Sequence, residues 1–342
     1  MRVPGGVLRI GQLEVLRVAA LELGDGRLEL TSRGNVQIRA LKPDGPRELS
    51  DRLFAAGLLP SITHERVRNI LASPLSGLDQ QSSYDVLPVV NALDEALCAR
   101  PSLAELPGRF LFAFDDGRGD LAGIGADVAV RAVDHREALL MLGGRGAVRV
   151  PWADAVEVML AAAEAFLAVR TEEWRIAELE DGEGRILDRL GLQATEELPT
   201  ATTTVGAGRH GDALVATVPL GSLTQDQATA LTHAVAGEAA VRLTPWRSVV
   251  VPVVAGEQLE KVGLVTTADS PWNGVTACAG RPGCGKALAD VRGDARRMLQ
   301  LVPRDGRRVH WSGCERRCGK PAGEFVDVVA VGNGYLVDGV RM

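Results

Sequence analysis

The sequence predicts an α+β protein in which two ferredoxin-like half-modules, related by a pseudo-twofold axis, combine with two α/β units. Three observations predict it. A helix-and-strand pattern near the N-terminus returns near residue 220, a strand-rich insert separates the two copies, and four of the five cysteines sit in two tight pairs near the C-terminus. In chain order this gives a first half-module over 1–60, a first α/β unit over 61–200, a second half-module over 208–265 and a cysteine-bearing α/β unit over 266–342.

The first copy opens with Leu8, Gln12 and Leu16, an L-x3-Q-x3-L pattern just after Gly5-Gly6; the second repeats it as Leu223, Gln227 and Leu231 after Gly221. Leu13, Leu16, Ala20 and Leu23 fall on one helical face, as an amphipathic helix requires. Each helix runs into a strand ending in Leu-Thr, GDGRLELTSRGNVQIRAL in one copy and GEAAVRLTPWRSVVVPVV in the other. Gly24 and Thr31 stand seven residues apart, as do Gly237 and Thr244, and an arginine follows each threonine, Arg33 and Arg247. A short helix closes each copy, around 47–57 and 256–262. Strand, helix, two strands and helix make a split βαβ module, and two copies imply a shared central cleft. The second copy begins with a full strand, residues 213–221, whereas Met1 has only Arg2 and Val3 before Pro4. The first copy is therefore expected to lack most of its opening strand, through a start set downstream or by dispensing with it, which leaves an unpaired sheet edge.

In the insert, PGRFLFAFDDGRGDLAGIGADVAVRAV reads as strand, polar turn and strand, with Asp and Gly at a hairpin. EALLMLGG and AVRVPW read as further strands, 152–170 as a helix and 183–192 as another, and a Thr- and Gly-rich loop over 200–208 leads to the second half-module. Cys98, in ALDEALCAR, is expected to be a small buried hydrophobe. After the second half-module a helix is expected from near Cys284 through KALADVRGDARRML, followed by strands in VHWSG and FVDVVAV.

With 46% hydrophobic and 24% charged residues in 342, the chain has the composition of an ordinary soluble protein. No apolar run reaches the ~18 residues of a membrane helix, and a formal charge of −6 argues against nucleic-acid binding by bulk electrostatics. With no secretory pattern and an unpaired fifth cysteine, a reducing cytoplasm is expected.

Cys278 and Cys284 frame CAGRPGC, Cys314 and Cys318 frame CERRC, and 29 residues separate the pairs. Four thiolates on two short loops suit an iron–sulfur cluster or zinc. Structural zinc usually takes pairs two to four residues apart, so the wider first gap favours a cluster; a disulfide fits a reducing compartment less well. Arg281, Lys286, Arg316, Arg317 and Lys320 would offset a cluster's negative charge or serve as a solvated surface. No G-x-G-x-x-G follows a strand, so no built-in nicotinamide or flavin domain is read.

Together these features resemble the siroheme-dependent sulfite and nitrite reductases. C-x5-C with C-x3-C, LTSRGNVQIR and HERVRNILASP (64–74) carry the resemblance, which covers essentially the whole chain. A closer likeness is to the precorrin-3B synthases of aerobic cobalamin biosynthesis, through DDGRGDLAGIGADV, RLTPWRSVVVP, SPWNGVTACAGRPGCGKALADVR and HWSGCERRCGKPAG. The resemblance implies a sulfite/nitrite reductase-like fold and a [4Fe–4S] cluster on Cys278, Cys284, Cys314 and Cys318. It implies oxidation of precorrin-3A to precorrin-3B, by C20 hydroxylation and γ-lactone formation with molecular oxygen. Electrons would come from a separate ferredoxin or NAD(P)H-dependent flavoprotein reductase. Arg33 and Arg68 match arginines that grip tetrapyrrole carboxylates; Arg109 and Arg247 are further substrate-binding candidates, and Arg39 and Arg66 are expected to be solvated. Guanidinium forks suit a polycarboxylate. Arg109 stands at the first position of the reductases' lysine pair and Leu111 at the second, which argues against reduction of an inorganic anion. The alternative is a short siroheme sulfite or nitrite reductase. The sequence does not reveal the ligands of an additional mononuclear iron, for which Asp115, Asp116, Asp120 and His310 are no more than guesses, and no catalytic residue is singled out.

Overall fold

The repeated Leu/Gln pattern becomes two strand–helix units that share one core. A computed structural model describes residues 1–143, 146–197, 205–235, 240–252, 256–321 and 323–342, so Gly237 and part of the 200–208 loop lie outside the described residues. The first unit is β1 (Val7–Arg9), α1 (Ile10–Leu23), β2 (Leu28–Leu30), β3 (Val36–Gln37) and α2 (Gly45–Ala55). The insert follows as β4 (Ile70–Ala72), α3 (Leu87–Cys98), β5 (Phe112–Asp115), β6 (Val128–Ala132), β7 (Glu137–Met141), β8 (Gly146–Pro151), α4 (Trp152–Val169), α5 (Gly182–Leu190) and β9 (Glu196–Glu197). The second unit is β10 (Gly208–His210), β11 (Ala213–Thr217), β12 (Ser222–Leu223), α6 (Gln225–Ala234), β13 (Ala240–Leu243), β14 (Ser248–Pro252) and α7 (Gly256–Lys261). The cysteine-bearing part is β15 (Val275–Ala277), α8 (Val291–Met298), β16 (Arg308–Ser312), β17 (Phe325–Val331), β18 (Gly334–Val337) and β19 (Val340–Arg341).

Each copy lends its first strand to the other. In β1, Leu8 pairs with Val241 of β13; in β12, Leu223 pairs with Leu28 of β2. Val241 and Leu28 each lie three residues before the threonine of their own copy, so the register is reciprocal. Gln12 and Gln227 explain why their spacing recurs. Each accepts from the backbone N–H at its helix start (Arg9, 3.1 Å; Thr224, 3.0 Å) and donates to the carbonyl beyond the closing helix (Ala56, 3.1 Å; Val262, 3.2 Å). Gly6, at φ +71, lets the chain press onto β13: an added Cβ would stand 2.1 Å from the Leu243 oxygen. Leu8, Leu13, Leu16 and Leu28 pack with Leu223, Leu231 and Val241 in this shared core, each leucine contributing about 1.5–3 kcal/mol by burial.

The hydrogen bonds of the two turns correct one sequence expectation. Thr31 Oγ1 accepts from Arg33 N and Asn35 N, and Thr244 Oγ1 accepts in the same way from Trp246 N and Ser248 N. Trp246 is therefore the counterpart of Arg33. Arg247 corresponds instead to Gly34, and both adopt left-handed φ (+60 and +61). The edges of the two copies also differ. β11 covers the outer edge of β14, whereas among the described residues the outer edge of β3 meets no strand, only the Met1 amine donating to the Val36 oxygen at 3.3 Å. A groove of about 590 Å³ lies beside β3, lined by Val36, Ile38, Leu49, Leu53 and Leu59.

The two α/β units follow one plan. β4, β5 and β6 run parallel before the sheet turns antiparallel through β7, β8 and β9. β15, β16 and β17 run parallel before the antiparallel β18 and β19. Because β5 and β6 are parallel, residues 115–120 do not form the expected hairpin; the chain crosses over between strands buried against α3 and α4 around Phe110, Phe112, Phe114 and Phe166. Among the described residues no helix is long and apolar enough to cross a membrane.

Candidate functional site

Parallel pairing of β15 with β16 (Ala277 opposite Trp311) delivers the two cysteine loops to the same sheet end, the carboxyl edge where open α/β sheets bind ligands. Cys278 N donates to the Trp311 oxygen at 2.9 Å, and Gly313 N donates to Cys278 Sγ at 3.1 Å. Leu288 N reaches the Gly313 oxygen at 2.8 Å and Arg281 N the Ala289 oxygen at 2.9 Å. These cross-loop bonds explain why the helix expected from Cys284 starts only at Val291. The Leu288 amide is drawn across to the other loop, and the helix begins only where Asp290 caps it by accepting from Gly293 N at 3.0 Å. At Gly313 an added Cβ would stand 2.7 Å from Ala287 Cβ, so the loops touch there.

All four cysteines are free thiols, three half-buried and Cys318 exposed. Soft donors on two touching loops, one sulfur already accepting a backbone N–H, fit a group that takes four thiolates. Among the described residues, however, no three Cys, His, Asp or Glu side chains stand close enough together to hold a metal ion. The fold brings the loops together without gathering the sulfurs.

A second cluster forms around the Gly108 carbonyl. Arg2 Nη2 donates to it at 3.3 Å, Asn69 Nδ2 at 2.9 Å and Arg33 Nη1 at 3.5 Å. Burial, then the charges of Arg175 and Arg2, pull Arg33 down to about 10, and burial also lowers Arg2. Among the described residues neither has a carboxylate in ion-pair range, whereas Arg175 is held by Asp127 at 2.6 Å. Arg109 stands at the rim, 56% exposed and 3.8 Å from Glu178. Sequence reasoning passed over Arg2, which carried no motif. Its one signal was its place immediately before Val3-Pro4, where the second copy has Thr217 before Val218-Pro219.

Arg68 belongs elsewhere. It is 3% exposed, forked onto Asp94 (2.7 and 2.6 Å) and donating to the Leu58 oxygen at 3.2 Å. Arg247 does not join Arg33 either; it donates to the Gly319 oxygen at 3.0 Å, against the second cysteine loop. Cys98, at the end of α3, is half-buried, and burial raises its thiol. Arg317, expected beside a cluster's charge, pairs with Asp327 at 2.6 Å.

The four guessed ligands of a further iron are not brought together. His310 lies on β16, its Nδ1 2.8 Å from Thr276 Oγ1; burial, then Arg247, lowers it to about 4. Asp115, Asp116 and Asp120 are buried at the end of β5 in the other α/β unit. There Asp115 Oδ1 accepts from Gly117 N (3.0 Å) and Gly119 N (2.9 Å), and Asp116 accepts from Arg118 and Ser82. Asp120 accepts from Ser73 Oγ at 2.7 Å and is pushed up to about 7, chiefly by burial.

Comparison with known proteins agrees with this architecture. Residues 1–55 match the model of the nitrite/sulfite reductase ferredoxin-like half domain. The NirA protein of Mycobacterium tuberculosis superposes with a TM-score of 0.73 at 20% identity, over 98% of this chain and 73% of that one. The chain is thus similar to the nitrite/sulfite reductase superfamily and has the α+β fold of NirA. The chain is also 29% identical to a precorrin-3B synthase of a Sinorhizobium species, over 96% of this chain and 76% of the relative. It is 26% identical to the ferredoxin–nitrite reductase of Synechococcus elongatus, over 99% and 78%.

Proposed function

We propose that the protein is an oxidoreductase of the precorrin-3B synthase type, converting precorrin-3A to precorrin-3B with molecular oxygen. One oxygen atom enters the tetrapyrrole, at C20 with closure of the γ-lactone. The other leaves as water, with two electrons from a reduced nicotinamide delivered by a separate ferredoxin or flavoprotein reductase. The observation that carries the reading is the pair of touching cysteine loops on parallel strand ends in a chain similar to a precorrin-3B synthase along nearly its full length.

Cys278, Cys284, Cys314 and Cys318 would hold a [4Fe–4S] cluster, which supplies one-electron transfer when bound. The protein's own part is binding and orientation. Among the described residues Arg2 and Arg33 have no carboxylate partner, and Arg109 stands at the open rim; together they suit the substrate's carboxylates. Arg247 steadies the second cysteine loop through the Gly319 carbonyl. Arg68 serves the fold through Asp94. Leu111 is buried and apolar, where a cation for an inorganic anion would otherwise stand.

Incubation of anaerobically purified protein with precorrin-3A, reductant and isotopically labelled oxygen tests the reading. The expected product is heavier by one labelled oxygen atom. Turnover of nitrite or sulfite, with none of the tetrapyrrole, would assign the chain to the siroheme reductases instead.

A further inference from the structure

We propose that Glu29 and Arg292 are the positioning pair of the cysteine site, tying the first cysteine loop to the shared core and balancing charge beside it. The inference rests on reading the four cysteines as cluster ligands. Arg292, in the first turn of α8, donates through Nε to the Cys278 carbonyl at 3.2 Å. Its other nitrogens fork onto Glu29 of β2, Nη1 at 2.6 Å to Oε1 and Nη2 to Oε2. Ser222 of β12 completes the set, donating to Glu29 Oε1 at 2.7 Å. Glu29, Ser222 and Arg292 are all buried. A pair taken out of water is a poor means of stabilising a fold, but it fixes one geometry between three separate parts of the chain.

Two further observations support the role. Arg247, which donates to the Gly319 oxygen one residue past Cys318, feels Glu29 and Arg292 as its charged neighbours. Each cysteine loop thus accepts a hydrogen bond from an arginine, Arg292 forked onto Glu29 and Arg247 within its field. The pseudo-twofold supplies the other. Glu29 stands two residues before Thr31, and its counterpart two residues before Thr244 is Arg242. Arg242 Nη1 donates to the Pro74 (3.0 Å) and Ser76 (2.6 Å) oxygens in the loop after β4. The same position of the shared core therefore grips the first loop of each α/β unit, directly on one side and through Arg292 on the cysteine side.

A cluster's potential follows the net charge and hydrogen bonding around it, so removing either partner should move it in opposite directions. Glu29→Gln, which keeps the shape, leaves the Arg292 charge unbalanced and shifts the potential positive. Arg292→Met leaves Glu29 unbalanced and shifts it negative, with iron loss to a chelator faster by on the order of ten- to a hundredfold. The double variant, which removes both charges and so restores the net charge, returns the potential towards wild type. Arg292→Lys, should Arg292→Met not fold, keeps the charge but not the fork: faster iron loss at a near-unchanged potential. Arg242→Met, at the counterpart position, lowers the melting temperature without moving the potential. Opposite shifts for the two single variants confirm the pairing role, and shifts of one sign, or none, overturn it. Wild-type protein without iron and sulfide would instead overturn the ligand reading on which it rests.

Discussion

The two α/β units place different chemistry on the same stage. In the first, Ser73 follows β4, its N–H donates to the Phe114 oxygen at 2.9 Å, and its Oγ accepts from Asp116 N at 3.2 Å. In the second, Cys278 follows β15, its N–H donates to the Trp311 oxygen at 2.9 Å, and its Sγ accepts from Gly313 N at 3.1 Å. The backbone frame is shared and the side chains diverge. At the first edge, Arg118 forks onto Asp79 (3.0 and 2.8 Å), bonds Asp116 and closes the site on itself. At the second, four thiols stand free of one another. Two like strand ends can thus serve as an internal brace or as a ligand cradle, depending on whether their polar groups satisfy one another.

The largest effect is expected on the cradle. Cys314→Ser should abolish cluster iron and turnover while leaving the circular dichroism of the fold in place; iron retained at wild-type level would remove Cys314 from the ligand set. At the brace the effect should be on stability alone. Arg118→Met leaves the buried Asp116 and the half-buried Asp79 without their cation, a change that costs about 3–5 kcal/mol. It should lower the urea midpoint without altering the iron content of the folded fraction.

The third expectation concerns pH. Asp120 is held at about 7, above its unfolded value, so the folded state keeps a proton the unfolded state releases. Its contribution is therefore favourable at low pH and lost as pH rises from about 4 through about 7, an effect on the order of a few kcal/mol. Asp120→Asn, which still accepts from Ser73, should be more stable than wild type at pH 8 and no more stable at pH 4, read by urea unfolding at both. An equal gain at the two values would place the effect elsewhere. The smallest effect separates two arginines. Arg33→Met should raise KM for the polycarboxylate substrate roughly tenfold or more, from about 1.5–3 kcal/mol of charged hydrogen bonding. Arg68→Met should weaken the fold through Asp94 and leave KM unchanged; a raised KM would return Arg68 to the site.

Much of the fold was legible because it rests on local chemistry. The Leu/Gln repeat could be seen since Gln12 and Gln227 perform one capping task in both copies. Counting arginines misplaced the symmetry, because the conserved geometry belongs to the Thr31 and Thr244 turns and Arg247 fills the place of a glycine. The helix expected from Cys284 begins later because Leu288 N–H bonds across to the Gly313 oxygen, a partner no local pattern announces. For the same reason the sequence could not show the partner of Arg68: Asp94, onto which it forks, lies in α3, beyond the reach of the motif. The cysteine spacing was plain in the sequence, whereas the Glu29–Arg292 pair joins residues far apart in the chain and appears only in the folded molecule.

Iron, acid-labile sulfide and extractable tetrapyrrole, measured on one anaerobically purified sample, test the central claim most directly. About four irons and four sulfides per chain without siroheme are predicted for a [4Fe–4S] protein whose tetrapyrrole is its substrate. Stoichiometric siroheme, or the absence of iron and sulfide, would contradict it.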